Sequence, residues 1–137
     1  MSEAEASIRS FVERLSAKDW ERFAELLSED VERTGPYGDV VRGRAAYVDF
    51  LSAAVGRHSE YALRERRITV SSDGRRGFAE VTEALTVDGR PMEFPEVLAF
   101  DLDEAGRIST VAVYMIRPDP DAARSANRFF EKRTAAG

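Results

Sequence analysis

Apolar positions recur along this chain with two different periods, and the change of period marks out its elements. Ile8, Phe11, Val12 and Leu15 stand at helical spacing, which predicts an amphipathic helix over residues 3–16 with its apolar stripe inward. After a break at Ser16-Ala17-Lys18, Asp19 can cap a second helix carrying Trp20, Phe23, Ala24 and Leu27 on one side. Residues 31–34 read as a short strand, Gly35-Pro36-Tyr37-Gly38-Asp39 as a turn, and Val40-Val41 as the return. A third helix follows Arg42-Gly43-Arg44, with Tyr47, Phe50, Leu51 and Ala54 along one face and Gly56 as its stop.

From residue 59 the period drops to two. Residues 59–71 alternate imperfectly, with Ala62, Arg64, Arg66, Ile68 and Val70 on one side and Tyr61, Leu63, Glu65, Arg67 and Thr69 on the other. Residues 78–87 and 90–102 form a hairpin about Asp88-Gly89, a pair that suits the positive φ angles of a type I′ turn. A tight turn sets Val87 opposite Arg90, Leu85 opposite Met92, Glu83 opposite Phe94, Val81 opposite Glu96 and Ala79 opposite Leu98. One face then carries Ala79, Val81, Leu85, Val87, Met92, Phe94, Leu98 and Phe100, interrupted only by Glu83 and Glu96. These two sit diagonally, about 7 Å apart, in the same apolar concavity. Residues 108–116 supply the last strand, Pro118 and Pro120 end it, and Asp121 can cap a short terminal helix. The order predicts an α+β fold, with three N-terminal helices on one face of a strongly curved antiparallel sheet and a short C-terminal helix.

Composition narrows the chemistry. At 137 residues the chain is expected to be one domain, residues 1–137. A formal charge of -5 makes nucleic acid and anionic membrane surfaces poor partners. The absence of cysteine removes disulfides and thiol chemistry, and a single histidine excludes histidine-rich metal sites. No basic, apolar leader opens the sequence and no stretch approaches the ~20 apolar residues of a membrane span. A cytoplasmic protein without metal or cofactor is the expectation.

Several strings, taken in order, resemble the SnoaL-like, ketosteroid-isomerase-like branch of the nuclear-transport-factor-2-like superfamily. They are Lys18-Asp19-Trp20, Leu26-Leu27-Ser28-Glu29-Asp30, Gly43-Arg44-Ala45-Ala46 before Phe50, and residues 100–114 with Arg107-Ile108 after an acidic, glycine-containing turn. The resemblance implies a cone: a bent sheet wrapped against helices, an apolar pocket inside, and frequent dimers. It does not carry the steroid-isomerase residues, because that enzyme's base falls near Gly35, its oxyanion-hole tyrosine at Phe11 and its protonated aspartate near Leu98. Polyketide cyclases of the branch place an acid on the last long strand, where Val111, Val113, Met115 and Ile116 stand here. The fold by itself hosts many chemistries.

The glutamate pair is therefore the candidate catalytic site. Two carboxyls facing an apolar cavity push one pKa upward and yield one acid and one base near neutrality, as enolisation or aldol chemistry requires. Arg64 or Arg66 could instead neutralise them in a buried ion network, and a bulge at Pro95 could turn Glu96 outward. Trp20, Tyr37, Tyr47, Phe50, Arg66, Phe94, Leu98, Val113 and Met115 are the expected ligand contacts. Asp39 reads as a turn residue and His58 as a loop residue with a minor claim as a base. Tyr114, with Thr82, Ala84 and Val97, belongs to the outer sheet face, the expected homodimer surface. Two functions follow: a cofactor-independent acid–base enzyme of polyketide-cyclase or isomerase type acting on an apolar small molecule, or a non-catalytic ligand-binding or dimerisation domain with a buried Glu–Arg network.

Overall fold

The computed structural model describes residues 1–136. Helix α1 (Glu3–Ser16) begins where the Ser2 hydroxyl accepts the Glu5 N–H at 3.1 Å, and it buries Ala4, Ile8, Phe11, Val12 and Leu15. A five-residue helix, α2 (Trp20–Ala24), follows the Asp19 cap. Leu27, at helical spacing from Phe23, instead opens strand β1 (Leu27–Thr34). The Leu26 carbonyl accepts the Ile108 N–H at 2.9 Å, so sheet pairing ends the helix early. Then come β2 (Val40–Arg42), α3 (Arg44–Ala54), β3 (Ala62–Val70), β4 (Arg76–Val87), β5 (Arg90–Leu102), β6 (Ile108–Met115) and α4 (Pro120–Ala136).

The six strands form one curved sheet in the order β2-β1-β6-β5-β4-β3. Its pairs are antiparallel except β1 with β6, which run parallel and make the sheet mixed. The β4–β5 hairpin has the register counted from its turn: Val87 opposite Arg90, Glu83 opposite Phe94, Val81 opposite Glu96. Asp88 and Gly89 have φ of 50° and 76°, as the type I′ geometry demands. The ladder runs through Pro95, opposite Thr82, without a shift, so Glu96 keeps its inward side.

Strand β3 does contain a bulge. Glu65 pairs with Val81 and Arg67 with Glu80, leaving Arg66 as the extra residue. Sidedness therefore changes along the strand. Leu63 faces inward at one end, opposite Glu83, and Ile68 and Val70 at the other, opposite Ala79 and Gly77. Arg64 and Arg67 turn outward to pair with Glu93 and Glu80.

Helix α1 lies across β3 and β4. Gly77 permits the contact, because a Cβ there would stand 2.4 Å from Ile8 Cδ1. Beneath the helix, the Phe11 ring packs 4.8 Å from Phe23 and 4.9 Å from Phe100. Helix α4 is capped by Asp119 rather than Asp121, its carboxylate accepting the N–H groups of Asp121 and Ala122 at 3.0 and 3.1 Å. No described helix is long and apolar enough to cross a membrane.

Candidate functional site

A cavity of about 230 Å³ opens between α1, α3 and the inner face of the sheet. Phe11 and Leu15 of α1, Phe50, Leu51 and Ala54 of α3, and Leu85, Leu98, Val113 and Met115 of the sheet make its wall mostly apolar. Alternation along β4 and β5 brings Glu83 and Glu96 into it together. Glu96 is 6% exposed and Glu83 half-buried, and the two carboxyls lie close enough to influence each other's charge.

Burial raises both carboxyls, since a low-dielectric wall disfavours charge. The Glu83 charge pushes Glu96 further, to about 8. Glu83 is drawn back by the Tyr61 hydroxyl, which donates to its Oε2 at 3.2 Å, then by Glu96 and the fields of His58 and Arg33. Of the two, Glu96 is thus the carboxyl pushed further toward its protonated form, facing Glu83 across the strand pair. Burial also holds the Tyr47 and Tyr61 phenols well above their ordinary range, so both remain hydrogen-bond donors.

Of the residues expected to contact ligand, Tyr47, Phe50, Leu98, Val113 and Met115 line this cavity with the two glutamates. Four do not. Trp20 packs edge-on against Phe23, with ring centroids 6.1 Å apart. Tyr37, at the β1–β2 turn, is 71% exposed beneath the Arg117 guanidinium. Arg66 occupies the β3 bulge and borders a groove with Pro95, Val97 and Tyr114. Phe94 is buried opposite Glu83, but Arg117 lies over its ring and it stands outside the cavity wall.

The cation facing the pair is Arg33, which sequence reading passed over; neither Arg64 nor Arg66 reaches the glutamates. Arg33 is 9% exposed, donates from Nη1 to Asp39 Oδ2 at 2.6 Å, and stacks 4.7 Å from the Phe50 centroid. Asp39 is thus more than a turn residue. The signal was available: Val31 faces the core, and in a strand position 33 shares its side. Tyr61 and Leu63, grouped on one side by the alternation, both border the cavity, and the bulge brings Ile68 and Val70 of the other group inward as well. His58 also borders the cavity, its carbonyl held by the Lys18 ammonium and its Nε2 accepting from Arg57 Nε at 3.4 Å. Among the described residues, no three His, Cys, Asp or Glu side chains gather as a metal site.

The SnoaL-like domain family matches residues 8–111. The chain belongs to this family. A proposed polyketide cyclase of Xanthomonas campestris pv. campestris superposes with a TM-score of 0.73, at 25% identity over 82% of this chain and 89% of that one. One from Pseudomonas putida KT2440 gives 0.73 at 25% identity, covering 81% and 90%. An LEH-like epoxide hydrolase of M. tuberculosis gives 0.72 at 23% identity, covering 83% of each, a likeness of fold alone. No curated protein matches the sequence. In this SnoaL-like chain, Phe11 and Leu98, standing where the isomerase resemblance would put a tyrosine and an aspartate, are apolar cavity wall. The last strand likewise offers the cavity Val113 and Met115 and no acid.

Proposed function

We propose that this SnoaL-like protein is a cofactor-independent acid–base enzyme, of polyketide-cyclase or isomerase type, acting on a small apolar carbonyl compound in the cone cavity. The observation that carries the reading is that Glu83 and Glu96 stand together in an otherwise apolar wall, where burial favours the protonated form of each, with neither carboxylate in a salt bridge to an arginine among the described residues. The polyketide cyclases named among its structural relatives support the same class.

The Glu83 carboxylate takes a proton from the carbon beside the carbonyl. The C–H electron pair becomes the carbon–carbon double bond, and the carbonyl oxygen receives the Glu96 proton, giving an enol. Glu83 ends protonated and Glu96 ionised, so the pair has moved one proton in and one out. An enol carbon held against a second carbonyl of the same molecule closes a ring; reprotonation at another carbon isomerises it. General acid–base catalysis of this kind contributes ~10²–10⁴-fold.

The test is hydrogen–deuterium exchange at the activated carbon of 2-tetralone in D₂O, followed by NMR. Wild-type protein is expected to accelerate exchange, and Glu83→Gln to lose at least ~100-fold of that acceleration. Wild-type exchange at the buffer rate, or full activity in Glu83→Gln, would defeat the reading.

We also propose a homodimer through the outer sheet face, where Tyr114 is 64% exposed opposite Val97, with Thr82 and Ala84 on the same face two strands away. Tyr114→Glu would place like charges across the two-fold axis. Light scattering is expected to give a dimer for the wild type and a monomer for the variant; the same mass for both would remove the proposal.

A further inference from the structure

Arg33 is the one buried cation among the described residues. A guanidinium offers five N–H donors and keeps its charge at any physiological pH. Only one acceptor is bonded to it among the described residues, Asp39 Oδ2. None of its nitrogens is both sealed off and without a partner. The space that Arg33 borders is the cavity.

The ion pair is also lopsided. The Arg33 side chain is 11% exposed and that of Asp39 45%. Solvent screens the aspartate more than the arginine, leaving a positive potential on the cavity side. Arg33 projects from β1, two strands from Glu96 on β5, and Glu83 lies one strand beyond. The cavity therefore has a cationic pole at Arg33 and a proton-transferring pole at the glutamates, with Leu98 and Val113 between them. A planar fork of donors backed by an aromatic ring matches a carboxylate better than a single carbonyl oxygen.

We propose that Arg33 anchors a carboxylate, and that the ligand is a small apolar monocarboxylic acid whose second oxygen function reaches Glu96. This rests on the acid–base reading of the same cavity and adds the ligand's charge to it. A volume of about 230 Å³, below the ~300–1,000 Å³ of pockets for drug-sized ligands, keeps the hydrocarbon body small. Placing the carboxylate at the Arg33 end keeps it away from the two glutamates, either of which would repel it when ionised.

Two probes with one ring system test this: 2-naphthoate and the neutral ketone 2-acetonaphthone, titrated by fluorescence at about pH 6.5, below the Glu96 titration near 8. Naphthoate is expected to bind wild-type protein roughly 10- to 100-fold tighter than the ketone. Arg33→Gln should erase that preference while still binding the ketone, which shows that the cavity persists. Asp39→Asn, altered at the exposed partner, tests the same charge without opening the core and should tighten naphthoate alone. Equal binding of the two probes to wild type, or weaker naphthoate binding in Asp39→Asn, overturns the assignment. In that outcome, ketone binding with 2-tetralone exchange intact leaves the acid–base reading standing. Failure of both probes to bind sinks the carboxylate anchor together with the ligand cavity.

Discussion

Phe11→Ala is expected to lower stability by about 3–5 kcal/mol, a large share of the roughly 5–15 kcal/mol that holds a domain together. Phe11 is 1% exposed and joins α1 to both α2 and the sheet, with its ring tilted against Phe23 and edge-on to Phe100. Each aromatic contact adds ~0.5–1.5 kcal/mol to the burial of the ring itself. The side chain also forms part of the cavity wall. Truncation would merge a new void with the existing space, and neighbours already held around a cavity cannot collapse to fill it. Urea unfolding should show a lower midpoint at an unchanged slope, with a smaller loss for Phe11→Leu. A loss below ~1 kcal/mol for the alanine variant would mean that the helix–sheet contact is not the centre of the core.

The local parts of this architecture were legible because local chemistry determines them. Asp88-Gly89 defines its own turn, and every pairing of the hairpin follows by counting outward from it. That count alone brought Glu83 and Glu96 to one side. The α1 stripe was equally plain, since Ile8, Phe11, Val12 and Leu15 have no competing use. The parallel pairing of β1 with β6 was not legible, because it joins segments more than 70 residues apart and extends β1 back over residues spaced like a helix.

The candidate site divides along the same line. Its acid–base pair lies on a hairpin whose register a turn dictates. Its supporting groups lie on strands whose register depends on distant partners. In β3 the charge run Arg64-Glu65-Arg66-Arg67 gives no apolar alternation with which to locate a bulge. The alternation therefore did not tell which of its two sides, that of Tyr61 or that of Arg64 and Arg66, faces the glutamates. Arg33 was hidden differently: a charged residue in a short strand reads as solvated until Val31, two residues earlier, is seen to face the core. Of the arginines that were visible, Arg64 turns outward by plain alternation with Leu63, and Arg66 is the extra residue of the bulge.

Raising the pH from 6 to 9 is expected to destabilise the wild-type protein by about 2–3 kcal/mol and Glu96→Gln by clearly less. Burial, and then the charge on Glu83, raise the Glu96 carboxyl from 4.5 to about 8 in the folded protein. Between those values the folded chain binds a proton that the unfolded chain has released. Fewer protons on the unfolded state make the pH slope of stability negative. The stabilisation is complete below about 4.5, declines as pH rises, and is gone once pH passes about 8. Glutamine carries an N–H that can donate to Glu83 as the carboxylic acid does, but it has no proton to lose. Urea midpoints for both proteins at the two pH values read the difference directly, and wild-type exchange of 2-tetralone should fall over the alkaline part of the same window. The two losses share a cause: the proton that lets Glu96 be buried is the proton it gives to a carbonyl oxygen. A wild-type stability profile flat from pH 6 to 9, or the same profile in Glu96→Gln, would mean that Glu96 is already ionised at neutrality. The pair would then hold no proton to donate, and the cavity would have a base without an acid.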